Sequence, residues 1–221
     1  MVKTVQIPKR ILRLYKDLDA NGLKLFYYFI SKIQVLSLAI KNSSVNMNCF
    51  KEVLVTQSDI KISFKEIKEY LGIIRVDKKR LEKPIIQLNN LNIFGDIKLD
   101  NNSIIIEFDE DVFSLLNEVN NIASNNEIDL IELSKLKDKY SINLYLYCLT
   151  ILRLKDNKGQ GYIQISIDKI KDILCGGITS QADKMFFKRF VKDPAAKINK
   201  ICSINIQVKR SKSNLEFNVK K

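Results

Sequence analysis

The alternation of apolar and polar residues predicts a helix followed by a β-hairpin near the end of the chain. On a helical wheel, residues 181–192 separate into two sides. The apolar side holds Ala182, Phe186, Phe187, Phe190 and Val191, and the polar side holds Gln181, Lys184, Met185, Lys188, Arg189 and Lys192. Apolar residues then alternate with polar ones at 204–208 and 215–219, which predicts two strands with one buried face. The segment that joins them is cationic, with Lys209, Arg210 and Lys212.

Polar residues predict where this helix begins and how it continues. Ser180 and Asp183 have the spacing of a capping box, so we expect the helix to begin at this point. Asp193 followed by Pro194 is typical of a second N-cap with proline in the first turn. The sequence therefore predicts a kink at Asp193 and a restart through residues 195–201.

A similar series of elements is predicted in the first half of the chain. Ser63 and Glu66 have the spacing of a capping box that begins a short helix, and Gly72 is placed to end it. Pro84 is expected to interrupt the helix that Asp77 begins. In order, the pattern predicts a helix at 20–40, strands at 53–55 and 60–62, helices at 64–71 and 78–91, and a hairpin of strands at 93–99 and 103–108.

The same order of elements recurs in the second half, which indicates an internal repeat. A helix is predicted at 134–155 and a strand at 162–165, followed by a helix that Ser166 begins and Gly176 and Gly177 end. Ser63 matches Ser166 at an offset of 103, and Asn89 matches Asn199 at 110, which we attribute to a longer loop at 175–180. Helix, strand, two helices and a hairpin is the order of a winged helix. The sequence therefore predicts an α+β fold of two tandem winged-helix domains.

Charge separates the two copies. Residues 111–134 contain five acidic residues and no Lys or Arg. This segment and the asparagines near it are typical of a connection between domains. We therefore expect a first domain at 1–112, a linker at 113–132 and a second domain at 133–221.

The overall charge favours a polyanionic partner. The chain of 221 residues has a formal net charge of +12, while 46% of its residues are hydrophobic, as in an ordinary globular protein. Residues 135–221 hold 19 Lys and Arg against 7 Asp and Glu. Because this excess surrounds the amphipathic helix and the cationic hairpin, we expect nucleic acid to bind there.

Several function classes are not expected from this composition. Histidine is absent, which excludes Ser/His and Cys/His nucleophile pairs and His-ligated metals, and no glycine-rich phosphate loop occurs. Four cysteines without paired spacing are typical of a reducing cytoplasm. The apolar segment 23–40 is interrupted by Lys24 and Lys32, so we expect a core helix and no membrane association. We predict a cytoplasmic protein that is not an enzyme and uses neither metal nor cofactor.

The chain resembles a known family, the plasmid replication initiator (Rep) proteins with two tandem winged-helix domains. The resemblance extends over residues 18–217. It rests on the predicted helix at 20–40, on two patterned segments, and on the short helix marked by Ile62, Ser63, Ile67 and Leu71. The first segment resembles the Tyr-Ser start of the family's second domain. The second leads from the amphipathic helix at 181–192 into the last pair of strands. Their residues are Tyr140, Ser141, Leu144 and Tyr145, and Phe187, Phe190, Pro194, Ile198, Asn199 and Phe217.

The resemblance implies a specific function. Initiators of this family bind repeated double-stranded DNA sites, called iterons, at a plasmid origin, help to open an adjacent AT-rich duplex and recruit host replication proteins. Many exist as monomers and homodimers, and the dimers repress their own promoter. The C-terminal winged helix reads bases, while the N-terminal one contacts the DNA backbone and carries the dimer interface.

Side-chain chemistry then assigns roles to the exposed positions. Lys184, Lys188 and Arg189, with Lys192 on the same face, are expected to reach phosphates or guanine acceptors. Gln181 suits adenine, and Met185 suits a thymine methyl group. In the first copy we expect mainly phosphate contacts from Lys79, Arg80, Lys83 and Gln87. At the hairpin tip, Lys209, Arg210 and Lys212 suit a contact with a neighbouring groove or with the DNA backbone.

Two other functions fit the same residues. A winged-helix transcription repressor would bind DNA in the same way without taking part in replication. A basic protein-interaction module would use the cationic face to bind an acidic partner or a membrane surface.

Overall fold

A computed structural model describes residues 4–8, 17–42, 59–107, 125–153, 159–176 and 182–221 of the chain. Within these ranges the fold contains eight strands in three sheets. The predicted strand at 53–55, the predicted cap Ser180 and the candidate DNA-contacting residue Gln181 lie outside the described residues.

Apart from β1, which the sequence pattern does not predict, the described elements of the first unit follow the predicted order. Its last three strands form one antiparallel sheet in the order β2-β4-β3. Strand β3 begins four residues later than the sequence predicts, because residues 90–96 form turns. The elements are β1 Thr4–Pro8, α1 Ala20–Asn42, β2 Asp59–Ser63, α2 Phe64–Leu71, α3 Lys78–Asn89, β3 Ile97–Leu99 and β4 Ser103–Glu107.

Local hydrogen bonds explain where these helices begin and end. The Asp19 carboxylate accepts a hydrogen bond of 2.9 Å from the backbone N–H of Gly22 at the start of α1. Both halves of the predicted capping box form: Ser63 accepts from the backbone of Glu66, and the Glu66 carboxylate accepts from the backbone of Ser63. Gly72 ends α2 in the left-handed conformation, with φ 63°.

The predicted interruption at Pro84 is wrong, because α3 runs unbroken through this residue. Proline removes one backbone hydrogen bond from the helix. Packing compensates for this loss, since Pro84 is buried together with Leu81, Ile85 and Leu88 on the face of α3 that contacts α1.

The last part of the predicted linker is structured, whereas its residues 113–124 lie outside the described residues. Residues 125–132, which the sequence assigns to the linker, form β5 Asn125–Asp129 and the first part of α4 Leu130–Lys135. Strand β5 pairs with β1 in a two-stranded antiparallel sheet. The single helix predicted at 134–155 is also wrong: α4 ends at Lys135, and α5 Lys139–Arg153 follows. Asp138 separates them and begins α5, because its carboxylate accepts 2.9 Å hydrogen bonds from the backbone and hydroxyl of Ser141.

The second unit repeats the first. Its sheet has the strand order β6-β8-β7, which corresponds to β2-β4-β3. The elements are β6 Gln160–Ser166, α6 Ile167–Cys175, α7 Asp183–Phe186, a π-helical segment Phe187–Lys192, α8 Asp193–Ile201, β7 Asn205–Ser211 and β8 Asn214–Lys220. As predicted, Ser166 caps α6 and Gly176 ends it in the left-handed conformation.

Paired asparagines confirm the internal repeat at the level of hydrogen bonds. In the first unit the Asn89 side chain accepts from the backbone N–H of Ile97 and donates to its carbonyl oxygen. In the second unit Asn199 makes the same two bonds with Ile206. In each unit the side chain joins the end of the last helix to the edge strand of the hairpin, so the two copies share tertiary structure as well as sequence.

The two units pack against each other, and their buried side chains form one continuous core. Lys24 of α1 is 5% exposed, and its ammonium group donates a 2.6 Å hydrogen bond to the carbonyl oxygen of Ser134 at the end of α4. Burial lowers the pKa of Lys24 to about 8, and the charge of Lys137 adds to the effect. The Tyr70 hydroxyl donates to the Lys24 carbonyl, which joins α2 to the same contact.

Candidate nucleic-acid interface

The second unit presents a long helix with one buried face and one cationic face. We name residues 183–201, which comprise α7, the π-helical segment and α8, the composite helix. Phe186, Phe190 and Val191 are buried on one side, whereas the opposite side is exposed. The exposed side holds Lys184, Met185, Lys188, Arg189 and Lys192. The predicted division into two faces is thus confirmed for these residues, except that Phe187 is half-buried and Ala182, before the helix, is exposed.

Aromatic contacts fix the composite helix on the core. The ring of Phe190 packs edge-on against Tyr140 of α5 at a centroid distance of 4.3 Å, and it stacks on Phe186 at 5.2 Å. The Arg189 guanidinium lies 5.7 Å from the centre of the Phe190 ring. Because its buried face is anchored to α5, the helix holds its exposed cations in a defined position relative to the sheet.

The predicted N-cap at Asp193 is wrong, because the composite helix continues through this residue. The α-helix does resume at Asp193 with Pro194 in its first turn, as predicted. Asp193 has helical dihedral angles, φ −66° and ψ −43°, instead of the extended conformation of an N-cap. Its backbone N–H donates to the carbonyl of Lys188, five residues earlier, as in a π-helix. The wider turn ends just before Pro194. Because proline has no backbone N–H, one hydrogen bond of the helix cannot form at this residue, yet the helix continues without a break.

The hairpin of strands β7 and β8 forms the basic wing of this unit. Ser211 pairs with Asn214, so Lys212 and Ser213 make a two-residue turn in which Lys212 has a φ of 47°. Lys209 and Lys212 are exposed. The structure therefore confirms the predicted hairpin and places two lysines along its end.

Arg210 of the wing is linked to the start of the composite helix by Asp183. An Asp183 carboxylate oxygen accepts a 2.9 Å hydrogen bond from the ammonium group of Lys171 in α6. The other oxygen lies 3.6 Å from the Arg210 guanidinium. The hydrogen bond from Lys171, with the positive charge of Arg210, lowers the pKa of Asp183, so the carboxylate stays ionised at neutral pH. Lys171 was not among the predicted site residues, because no local pattern pairs residues that lie on different helices.

The candidate residues of the first unit are only partly available. Lys79, Arg80 and Lys83 are exposed on α3, although the Lys83 ammonium lies 3.7 Å from the Asp19 carboxylate. Gln87 is half-buried, and its side-chain oxygen accepts a hydrogen bond of 3.2 Å from the backbone N–H of Asp19. This bond gives Gln87 a role in holding α1 on α3, so a phosphate contact from Gln87 stays a prediction without structural support.

The wing of the first unit differs in charge from that of the second. Its tip is formed by Asp100, Asn101 and Asn102, and Lys61 lies 3.2 Å from the Asp100 carboxylate. Lys98 of β3 forms ion pairs with Glu107 and Asp96. The backbone N–H of Asn101, followed by Lys61, lowers the pKa of Asp100. Carboxylates thus neutralise the cations of the first wing, whereas Lys209 and Lys212 of the second have no ion pair among the described residues.

The composite helix also has an extension that the first unit lacks. Counting back from the paired asparagines, Lys188 corresponds to Lys78, the first residue of α3. Helix α7, with Lys184 and Met185, therefore has no counterpart in the first unit. The extra residues were predicted to form a longer loop, whereas residues 183–187 of this insertion are helical.

No helix in the described ranges is long and apolar enough to cross a membrane. The described residues also contain no group of three or more His, Cys, Asp or Glu side chains placed to hold a metal ion.

Comparisons with known proteins identify the family. The model of the family described as "Initiator Replication protein, WH1" matches residues 9–149, which is more than half of the chain. Among solved structures, the crystal structure of the Pi initiator protein in complex with iteron DNA is similar, with a TM-score of 0.66 and 14% sequence identity. The match covers 99% of this chain and 97% of that chain, and at this identity it shows the fold. A comparison with curated proteins found no match. The chain belongs to the family of initiator replication proteins.

Proposed function

We propose that this protein initiates plasmid replication by binding repeated double-stranded DNA sites at an origin. Membership of the initiator family supports this function, and the Pi initiator protein, which has the same fold, is bound to iteron DNA in its crystal structure. The observation that carries the proposal is the exposed cationic face of the composite helix. It lies beside a basic wing in the same unit, the arrangement by which a winged helix contacts a groove and the adjacent backbone.

In this proposal the second unit reads the base sequence. Helix α7 extends the composite helix by more than a turn and carries Lys184 and Met185, for which the first unit has no equivalent. Met185 is 63% exposed, so a contact with a thymine methyl group would remove apolar surface from water. Lys188 and Arg189 follow on the same exposed face and supply donors for phosphates or guanine.

The first unit holds the DNA backbone. Lys79, Arg80 and Lys83 are exposed on α3, but the wing beside them has an acidic and amide tip with neutralised cations. A surface with this charge distribution can make a few phosphate contacts. It also lacks a counterpart of α7, so it has no residues equivalent to Lys184 and Met185. The difference between the two surfaces supports a division of labour along one DNA site.

Further steps follow from family membership and belong to the same proposal. The protein acts in the cytoplasm without an enzymatic reaction of its own, helps to open an AT-rich duplex beside its sites and recruits host replication proteins. It exists as monomers and homodimers.

Binding and replication can be tested with one pair of matched variants. Lys184→Ala with Lys188→Ala removes two charges from the cationic face. Lys220→Ala with Lys221→Ala removes two exposed charges from the end of the hairpin far from its turn. At about 0.1 M salt each lost phosphate contact lowers affinity roughly eightfold, and a lost base contact costs about 1–3 kcal/mol, an effect of the same order. The first variant should therefore bind a repeat-containing duplex about 60-fold more weakly. The second should bind within about twofold of the wild type.

The same variants are then tested in cells. The gene with its flanking DNA should sustain a circle that otherwise does not replicate, and the first variant should lose this ability. Sequence-specific binding without replication would instead assign the protein to transcription repression. Unchanged DNA affinity in the first variant would contradict the proposal and favour a protein-interaction module.

A further inference from the structure

Asp183 is an acidic residue placed among the cations of the proposed DNA-binding surface. It is the first residue of α7 and immediately precedes Lys184, and its side chain is 43% exposed. A carboxylate at this position repels DNA phosphates and therefore weakens binding that depends on charge alone.

The two partners of Asp183 are held differently. Lys171 is 14% exposed and hydrogen-bonds one carboxylate oxygen at 2.9 Å, and its ammonium group also lies 5.7 Å from the centre of the Phe186 ring. Arg210 is 32% exposed and lies 3.6 Å from the other oxygen, beyond the normal range of a hydrogen bond. Lys171 is thus the fixed partner, whereas Arg210 is held by a weaker attraction that water and salt reduce.

This arrangement makes Arg210 exchangeable. A phosphate that approaches the wing can replace the distant carboxylate oxygen as the partner of the guanidinium group, and it offers a bidentate contact in return. The Asp183 carboxylate keeps its bond to Lys171 during the exchange. The exchange requires a phosphate held near both the wing and the start of the composite helix. Base contacts in a specific complex fix the register of the DNA and keep a phosphate at that position, whereas a non-specific complex has no such fixed register.

We propose that Asp183 is a specificity-determining residue, which holds Arg210 away from DNA in non-specific complexes and releases it to a phosphate in the specific complex. This inference rests on the proposed function and adds a residue that lowers the affinity for wrong sequences. Neither Asp183 nor Lys171 needs to contact a base for this role.

The test uses the full-length protein with two DNA probes. The first is a duplex selected from random sequence by the wild-type protein, and the second is a duplex of the same composition in scrambled order. Asp183→Asn removes the charge and keeps an oxygen that can accept from Lys171. The matched control is Asp193→Asn, which removes an exposed aspartate from the same helix, one without an ion pair among the described residues.

We expect Asp183→Asn to strengthen binding to the scrambled duplex roughly eightfold at about 0.1 M salt and to steepen the slope of log K against log salt by about 0.9. Affinity for the selected duplex should change less, so the ratio of the affinity for the selected duplex to that for the scrambled duplex should fall. Asp193→Asn should leave this preference unchanged. Equal changes on both probes in Asp183→Asn, or no change on either, would overturn the inference.

Arg210→Ala tests the inference independently of the stability of the Asp183 variant. It should weaken binding to the selected duplex roughly eightfold and reduce its salt slope by about 0.9, while binding to the scrambled duplex stays the same. Equal weakening on both probes, or on neither, contradicts the exchange of Arg210. If the wild-type protein prefers no sequence in the selection, the proposed function itself fails, and that result differs from every outcome above.

Discussion

The hydrogen bonds of Asn199 allow one quantitative prediction about how the composite helix is joined to the wing. Its side chain accepts from the backbone N–H of Ile206 at 2.7 Å and donates to the Ile206 carbonyl at 2.9 Å. Strand β7 is an edge strand, so without Asn199 these two backbone groups must bond to water. Asn199→Ala removes both bonds.

The expected cost follows from the number and exposure of these bonds. Each protein hydrogen bond contributes about 0.5–1.5 kcal/mol net, and because Asn199 lies at the surface we expect a total loss of about 1–2 kcal/mol. Asn89→Ala removes the equivalent two bonds to Ile97, at 3.1 and 3.0 Å, and should cost a similar amount. Because the two asparagines make equivalent bonds, we expect the two substitutions to lower the free energy of unfolding by similar amounts.

Urea unfolding of each variant measures these free energies. Asn205→Ala is the control, because Asn205 is exposed on the same edge strand and its side chain makes no hydrogen bond among the described residues. It should change the free energy of unfolding by less than about 0.5 kcal/mol. If Asn199→Ala is as stable as this control, the side chain does not join the helix to the wing and the reasoning is refuted.

Three further predictions concern other positions. Gly161→Ala should destabilise the protein by about 1–3 kcal/mol, because the new Cβ would lie 2.6 Å from the carbonyl oxygen of Ile151; an unchanged melting temperature would contradict this. The pKa of Lys24 is lowered from 10.5 to about 8, so the unfolded chain binds more protons between these pH values, and the free energy of unfolding should rise with pH there. Lys24→Met should abolish that rise, and parallel pH curves for the two proteins would show that the buried lysine does not titrate as described. Lys212→Asn removes a wing charge at a φ of 47° that asparagine tolerates, so salt-dependent DNA affinity should fall with no loss of thermal stability; a lower melting temperature with unchanged affinity would assign Lys212 to the turn alone.

Local signals in the sequence predicted most of the secondary structure. The capping box of Ser63 and Glu66, the glycines at 72 and 176 and the strand alternation of the second hairpin all lie within a few residues of the elements they specify. The offset between Asn89 and Asn199 predicted the repeat, because both residues make the same contact between a helix end and the following edge strand.

Predictions failed where tertiary packing overrides local preference. Pro84 and Pro194 were expected to break helices, yet the buried face around Pro84 and the π-helical segment before Pro194 preserve them. The acidic segment at 125–132 was assigned to a linker, although its partner strand β1 lies more than 100 residues away in sequence. Local periodicity does not record such a pairing.

In the candidate site, too, features set by local sequence were predictable and features set by tertiary contacts were not. The exposed face of the composite helix was predictable, because amphipathic periodicity alone identifies which side faces the core. The link from Lys171 through Asp183 to Arg210 was not, since it joins α6, α7 and β7. The hydrogen bond from the Asp19 backbone to Gln87 was not predictable either, because the two residues lie 68 positions apart in the sequence.

The central claim is that the second unit reads the DNA sequence and the first unit holds the backbone. Selecting binding sequences from a random DNA pool with the wild-type protein, Lys184→Ala and Lys79→Ala tests it most directly, because each variant removes one exposed lysine from a different unit. Lys79→Ala should select the same sequence as the wild type with weaker overall binding, whereas Lys184→Ala should lose the preference at one or two base positions. A changed sequence with Lys79→Ala and an unchanged one with Lys184→Ala would contradict the account.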